Sequence, residues 1–486
     1  MNKDIQNLDP QRVWKHFYSL TQIPRPSKKE EAVIAFMKKF GENLGLETVV
    51  DKVGNVIIRK PATPGMENRM GVIFQGHLDM VPQKNSDKVH DFEKDPIEAY
   101  IDGEWVTANG TTLGADNGMG CAAAMAVLES TDIPHGPIEA LFTIDEETGM
   151  TGAFGLQPGM FKGDILMNLD SEDEGELYVG CAGGIDANIT FRFTKAAVPA
   201  NVDAYKISIT GLKGGHSGMD IILQRGNANK IMTRFLIQII RNHGAKLAMF
   251  DGGSLRNAIP REAFAVIVAP KGKSETLKND LIAFYDIASA ELSATEPEFK
   301  MTIGPAEMPK FLIDETIQNN VLRSIYACPN GVMRMSDSVP GLVETSNNLA
   351  SVKTLDGEIK IGSLLRSSVD SAKEDLSEMV CSVFTLAGAE CDMEGGYPGW
   401  KPNMESPILK TMQDVYQKMY GKIPDIKAIH AGLECGLLGG VYPKWDMISF
   451  GPTIRYPHSP DEKVNIATVR KFWDYLVETL KNVPVK

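Results

Sequence analysis

No stretch of this sequence approaches the roughly 18 uncharged residues that a membrane span requires. Its first residues, MNKDIQNLDPQRVWKHFYSL, carry charges throughout and hold no apolar run of the kind a secretory leader uses. Neither insertion nor export is expected, and a cytoplasmic location is. Cysteine is scarce: the six (Cys121, Cys181, Cys328, Cys381, Cys391, Cys435) form no CxxC pair, which excludes a zinc knuckle or a disulfide-stapled framework and points to reduced thiols. Basic residues fall short of acidic ones, 50 against 63, leaving a net charge of −13 that repels a polyanion, so nucleic acid is not an expected partner. GxxxxGK[ST], GxGxxG and HExxH are also missing, which argues against a P-loop, a dinucleotide fold and a mononuclear zincin. GGHSGMD falls short of a nucleophile elbow, because GxSxG requires glycine where Met219 stands.

What is present describes a large globular chain. At about 150 residues per domain, 486 residues suggest roughly two to four folding units. A composition 43% hydrophobic and 23% charged is ordinary for such a protein. Residues 9–45 read as helical, with Val13, Phe17 and Leu20, then Val33, Phe36, Met37 and Phe40, spaced at three and four. GVIFQ (71–75), IEALFTI (138–144), DILMNL (164–169) and DMISF (446–450) are short apolar runs followed by polar residues or glycine, the pattern of strands buried on both faces. Helical patterns such as CAAAMAVLE (121–129) lie between them, so an α/β sheet is expected. From about residue 186 the texture changes: DANITFRF, AYKISIT and AFAVIVAP flank a long helical stretch over 227–242 and read as a separate α+β region. GGYPGWKPNMES, near 395–405, is a turn-rich junction. The chain ends in a helix with Ile466, Val469, Phe472, Trp473, Leu476 and Leu480 on one face. An inserted domain and three domains in a row fit this texture equally.

Several strands are followed closely by metal-type ligands: His77 and Asp79 in GVIFQGHLDMV, Glu146 and Glu147 in ALFTIDEETGMTGA, Asp170 in MNLDSEDEGE, and His458 in MISFGPTIRYPHSPDE. Strand ends in an open α/β sheet expose side chains from several strands to one crevice. Asp116 stands just ahead of a helix in TTLGADNGMG. Singly, each has an ordinary reading as an N-cap, a loop histidine or a solvated acidic turn. Jointly, five convergent carboxylates would repel one another, and two divalent cations would remove most of that repulsion. Two histidines with three carboxylates suit a pair of zinc-like ions, one carboxylate bridging. Glu146 and Glu147 point in different directions, so one can bind metal while its neighbour serves as a base. Asp79, two residues beyond His77, can hold the imidazole N–H.

HLDMV, GADNGMG, DEETGMTGA, NLDSED and YPHSPDE resemble the co-catalytic di-metal peptidase superfamily that includes carboxypeptidase G, aminoacylase and bacterial dipeptidases. The resemblance runs over nearly the whole chain. HAGLECG (430–436) and GCAGG (180–184) are similar to its aminoacyl-histidine dipeptidase branch, also called peptidase D or Xaa-His dipeptidase. It implies that Asp116 bridges two ions, that His77 and Asp170 complete one and Glu147 and His458 the other, that Glu146 is the general base, and that Asp79 orients His77. Zinc is expected, with cobalt or manganese possible. It also implies a two-lobed α/β fold: a catalytic domain with a mostly parallel central sheet over 1–186 and 398–486, and an inserted α+β lid over 187–397 through which a homodimer forms.

His216 in GLKGGHSGMD resembles a lid histidine that meets the oxyanion from its own or a partner subunit. The ordinary reading of that segment is a glycine-rich turn in which Ser217 caps a helix. Arg366 in GSLLRSSVDS is the candidate to grip the carboxylate of a dipeptide bidentately. Asn257 resembles a lid asparagine that holds substrate. His430 and Glu434 lie where this branch departs from the superfamily pattern, and an i, i+4 pair of this kind also reads as structural. Dipeptide hydrolysis is therefore the expected activity. A tripeptidase, an N-acyl-amino-acid amidohydrolase and a catalytically silent binding protein of the same fold are the alternatives.

Overall fold

The structure, a computed structural model, describes residues 3–486. It contains two compact units. The first comprises the described residues up to Gly180 with Trp400–Ala428 and Leu433–Lys486; the second comprises Cys181–Gly399 with Ile429–Gly432.

The first unit is built on an eight-stranded sheet. Its centre is parallel: Ile138–Thr143, Val72–His77, Ile165–Asn168 and Asp446–Ser449 lie side by side. The flanking pairs, where registers are defined, are antiparallel. Every residue of the first three central strands is buried, which is why their sequences read as continuous apolar runs rather than alternating ones. Helix Ala115–Glu129 packs between strand Val72–His77 and helix Gln11–Thr21. Its small side chains, almost all buried, let it lie close to the sheet. The single helical stretch expected over 9–45 is two helices, Gln11–Thr21 and Glu31–Asn43. Pro24 and Pro26 stand between them, and each lacks the amide and disfavours the helical conformation of its predecessor. Helix Ile466–Asn482 buries Val469, Phe472, Leu476 and Leu480, with Ile466 and Trp473 partly buried against the same core.

The second unit is α+β. Its nine-stranded sheet is antiparallel in every defined register. Helices Ala228–His243, Ser274–Leu292, Glu315–Ala327 and Asp370–Leu386 contribute Phe235, Phe284, Ile325 and Phe384 to a core shared with Ile189, Ile207 and Ile267 of the sheet. The helix expected over 227–242 is Ala228–His243, opened by the Asn227 side chain, which accepts from the amides of Asn229 and Lys230, and closed by Gly244 at φ +63°.

The cysteine expectation needs correction. Cys381 and Cys391 form a disulfide, their Cα atoms 5.6 Å apart, and the other four are free and buried. Helix Asp370–Leu386 and strand Glu390–Tyr397 are joined by three residues, so the strand folds back beside the helix and brings together two cysteines whose spacing carries no motif. Among the described residues no helix is long and apolar enough to cross a membrane.

Candidate metal centre

Parallel strands deliver their carboxyl ends to one edge of a sheet. In register, His77 stands opposite Thr143, and Gln75 opposite Asn168, which pairs in turn with Ser449. The residues that follow these strands, Asp79, Glu146, Glu147, Asp170 and, through a longer loop, His458, therefore start from one row. Helix Ala115–Glu129 brings Asp116 to the same place; Asp116 and Asn117 depart from helical dihedrals there.

The structure brings together all seven of the residues expected at the metal site and its base. His77 Nε2 lies 3.1 Å from Asp116 Oδ1 and 3.5 Å from Asp170 Oδ1. His458 Nε2 lies 3.2 Å from Asp116 Oδ2 and 2.9 Å from Glu147 Oε2. The two oxygens of Asp116 thus face two different sets of ligand atoms, each gathered within 4.8 Å, with His77, Glu146 and Glu147 forming a third such group. Asp79 lies on the other side of His77, its Oδ1 3.4 Å from Nδ1. It also accepts the amides of Glu146 at 3.0 Å and Glu147 at 3.2 Å, so one carboxylate fixes both the imidazole and the main chain of the two glutamates.

These donors fit a pair of divalent ions. Each set offers one imidazole nitrogen and carboxylate oxygens, a donor mixture suited to zinc, cobalt or manganese, and Asp116 is shared between them. Among the described residues Glu147 Oε1 is buried without a hydrogen-bond partner, as a ligand atom would be. The electrostatics agree. Burial raises the Asp170 carboxyl to about 7 and lifts Glu146 well above the carboxylate range, the neighbouring carboxylates adding to both. Burial opposes charge on His77, but Asp170, Asp116 and Asp79 outweigh it and hold the ring well above its ordinary value. Hydrogen bonds that its ring donates to the Asp116 and Glu147 carboxylates raise His458 to about 11. Protons on the imidazoles offset part of the negative charge that divalent ions would neutralise.

Other groups at the centre escaped the sequence reading. Gln75 Nε2 donates to Glu434 at 2.5 Å, and Thr143 Oγ1 donates to the same oxygen at 2.7 Å. Gln75 Oε1 accepts from Asn168, whose own Oδ1 accepts the amide of Asp170 at 3.2 Å. A buried polar row therefore runs one step beneath the candidate ligands. Glu434 is the first residue of helix Glu434–Val441, so it shares no helix with His430, and the i, i+4 reading of that pair does not hold. Burial raises its carboxyl to about 8. Arg25 and Glu462 grip the main chain around Asp116 and His77. Bonds to main-chain atoms leave no side-chain pattern, so only the order of the fold reveals them.

The remaining candidates lie in the second unit. His216 Nδ1 accepts the amides of Gly218 at 3.2 Å and Met219 at 3.0 Å, which places the proton of the neutral ring on Nε2. Burial, assisted by Arg366, lowers its pKa and keeps it neutral. Ser217 caps no helix; it is buried and its hydroxyl has no partner among the described residues. A Cβ at Gly218 would overlap the carbonyl oxygen of His430, so glycine is required for the two loops to meet. His430 Nε2 pairs with Ser346 Oγ at 2.7 Å, and burial pushes the ring down to about 3. Arg366 is 6% exposed and donates to Tyr397 Oη at 3.1 Å, while its Nε has no partner among the described residues. Asn257 is exposed, and its carbonyl accepts the amide of Ser217.

Comparison with known proteins matches residues 73–482 to the peptidase family M20/M25/M40. The cytosol non-specific dipeptidase of Escherichia coli is 47% identical over 483 residues, covering 99% of this chain and 100% of that one. The crystal structure of aminoacylhistidine dipeptidase from Vibrio alginolyticus is similar with a TM-score of 0.94 at 49% identity, covering 100% of this chain and 99% of that one. Aminopeptidase PepT from Bacillus cereus, at 17% identity and a TM-score of 0.58 over 98% of this chain and 99% of that one, shares the fold.

Proposed function

The chain belongs to peptidase family M20/M25/M40, and from that premise we propose that it is a metallopeptidase hydrolysing unblocked dipeptides, Xaa-His dipeptides such as β-alanyl-histidine among them. The observation that carries this reading is Asp116, whose Oδ1 and Oδ2 lie 3.1 and 3.2 Å from histidines of two separate ligand sets. His77, Asp170 and Asp116 would hold one ion, and Glu147, His458 and Asp116 the other. Zinc is the occupant we favour. When bound, a pair of such ions polarises a carbonyl oxygen and brings the pKa of a water toward about 7.

The chain's own groups do the rest. Glu146, its main chain fixed by Asp79, takes the proton of the attacking water and returns it to the leaving amine. Asp79 holds His77 in the tautomer whose Nε2 faces the carboxylates. His216, neutral and with its proton on Nε2, is a donor for the developing oxyanion, from this chain or from a second copy. Arg366, whose Nε lacks a partner among the described residues, is suited to the substrate carboxylate, and Asn257, His430 and Glu434 are assigned to substrate holding. We assign the second unit as the lid and dimerisation domain, and the cytoplasm as the location.

Purified, metal-loaded protein assayed against Xaa-His dipeptides, tripeptides and N-acyl amino acids tests the reading. Dipeptides should be cleaved fastest. Cleavage confined to acyl substrates would identify an amidohydrolase, and preference for tripeptides a tripeptidase.

A further inference from the structure

Glu462 lies four residues beyond His458 and is 2% exposed. Its Oε2 accepts the amides of Leu113 at 2.8 Å and Gly114 at 3.0 Å, and its Oε1 those of Ala115 at 2.7 Å and Asp116 at 3.2 Å. Four successive amides converge on one carboxylate at the start of a helix, the arrangement by which a turn binds an anion. Here the anion belongs to the loop that carries His458.

The same segment is gripped from its carbonyl side. Gly114 O accepts Arg25 Nη2 at 2.6 Å, and Arg25 Nη1 donates to Leu78 O at 2.8 Å and Asp79 O at 2.9 Å. A Cβ at Gly114 would stand 2.6 Å from Arg25 Nη2, and φ there is +72°, so glycine is needed for the guanidinium to approach. His458 itself needs an anchor. Its side chain is 51% exposed and its φ is +59°, a conformation that a non-glycine residue holds only when its surroundings impose it. Beyond it the loop is pinned where Glu462 O accepts Thr107 Oγ1 at 2.8 Å and Lys463–Asn465 pairs with Trp105–Thr107.

We propose that Glu462 is a positioning residue that ties the His458 loop to the Asp116 segment and so sets the affinity of the ion position formed by Asp116, Glu147 and His458, while Arg25 ties the same segment to the strand end carrying His77 and Asp79. The ion position of His77, Asp116 and Asp170 depends on it less, because His77 and Asp170 are set by their own strands. This inference rests on the di-metal reading above.

The test is release of ions from zinc-loaded protein into a chromophoric chelator, with the phase belonging to the second position identified by its loss in His458→Ala. Glu462→Gln keeps the shape but turns an amide NH2 toward two of the four N–H groups. It should speed that phase 10–100-fold, the usual cost of removing a group that orients a ligand, and leave the other within about threefold. Glu462→Asp should fall between wild type and Gln, and it carries the test alone should Gln fail to fold. Unchanged release, or equal acceleration of both phases as general loosening would give, overturns the proposal and leaves the di-metal reading intact. Wild-type protein that holds no ions would overturn that reading instead.

Discussion

Replacing Glu146 by glutamine tests the assignment of the general base with little risk to the fold. The Glu146 amide is held by Asp79 Oδ1 at 3.0 Å and that of Glu147 by Asp79 Oδ2 at 3.2 Å, so the main chain keeps its place whichever side chain follows. The substitution also removes one charge from a crowded set of carboxylates, which opposes any loss of stability. What it deletes is the proton acceptor. General acid–base catalysis contributes about 10²–10⁴-fold, equivalent to about 3–5 kcal/mol of barrier. The variant should therefore bind two ions per chain by elemental analysis, melt no lower than wild type and show KM within about threefold, while kcat on β-alanyl-histidine falls at least a hundredfold. A Gln variant that keeps its ions and more than a tenth of wild-type kcat would refute Glu146 as the base.

Three further outcomes follow from the structure. Protein purified without chelator should carry close to two transition-metal ions per chain and melt lower once stripped, since a ligand at 100 times its Kd adds about 2.7 kcal/mol; a ratio near zero that added metal cannot raise would defeat the site. Thiol titration in denaturant should count four cysteines before reduction and six after, and reductant should lower stability by about 2–3 kcal/mol for a loop closed across ten residues; six thiols at the outset would remove the disulfide. His430 is buried neutral with its pKa near 3, so the unfolded chain takes up a proton near pH 6.5 that the folded chain refuses, and stability falls as pH drops from there toward 3. At about 1.4 kcal/mol per unit the loss near pH 5 is about 2 kcal/mol. His430→Gln should flatten that limb in denaturant unfolding, and a limb of unchanged slope would show that the ring does not govern it.

How much of this was legible beforehand varies from element to element. The central strands announced themselves because burial on both faces demands unbroken apolar runs such as VIFQGH and IEALFT. The candidate ligands could be picked out because each follows such a run or precedes a helix. The break between Thr21 and Glu31 was marked by two prolines yet lost beneath the spacing of apolar residues on either side. His430 and Glu434 stand four residues apart and read as an i, i+4 pair, but a helix begins only at Glu434 and leaves His430 outside it.

The sequence by itself determined the chemical inventory: which strands are buried, which imidazoles and carboxylates stand at their ends, and a charge balance that calls for cations. Those properties are local, written within a few residues of each group. Only the tertiary structure decided which groups meet. Glu462 holds the amide of Asp116 across 346 residues, Arg25 reaches Gly114 across 89, and Cys381 turns back to Cys391. Such contacts depend on the order of strands in a sheet and on main-chain donors that every residue possesses, and so leave no mark in the order of side chains.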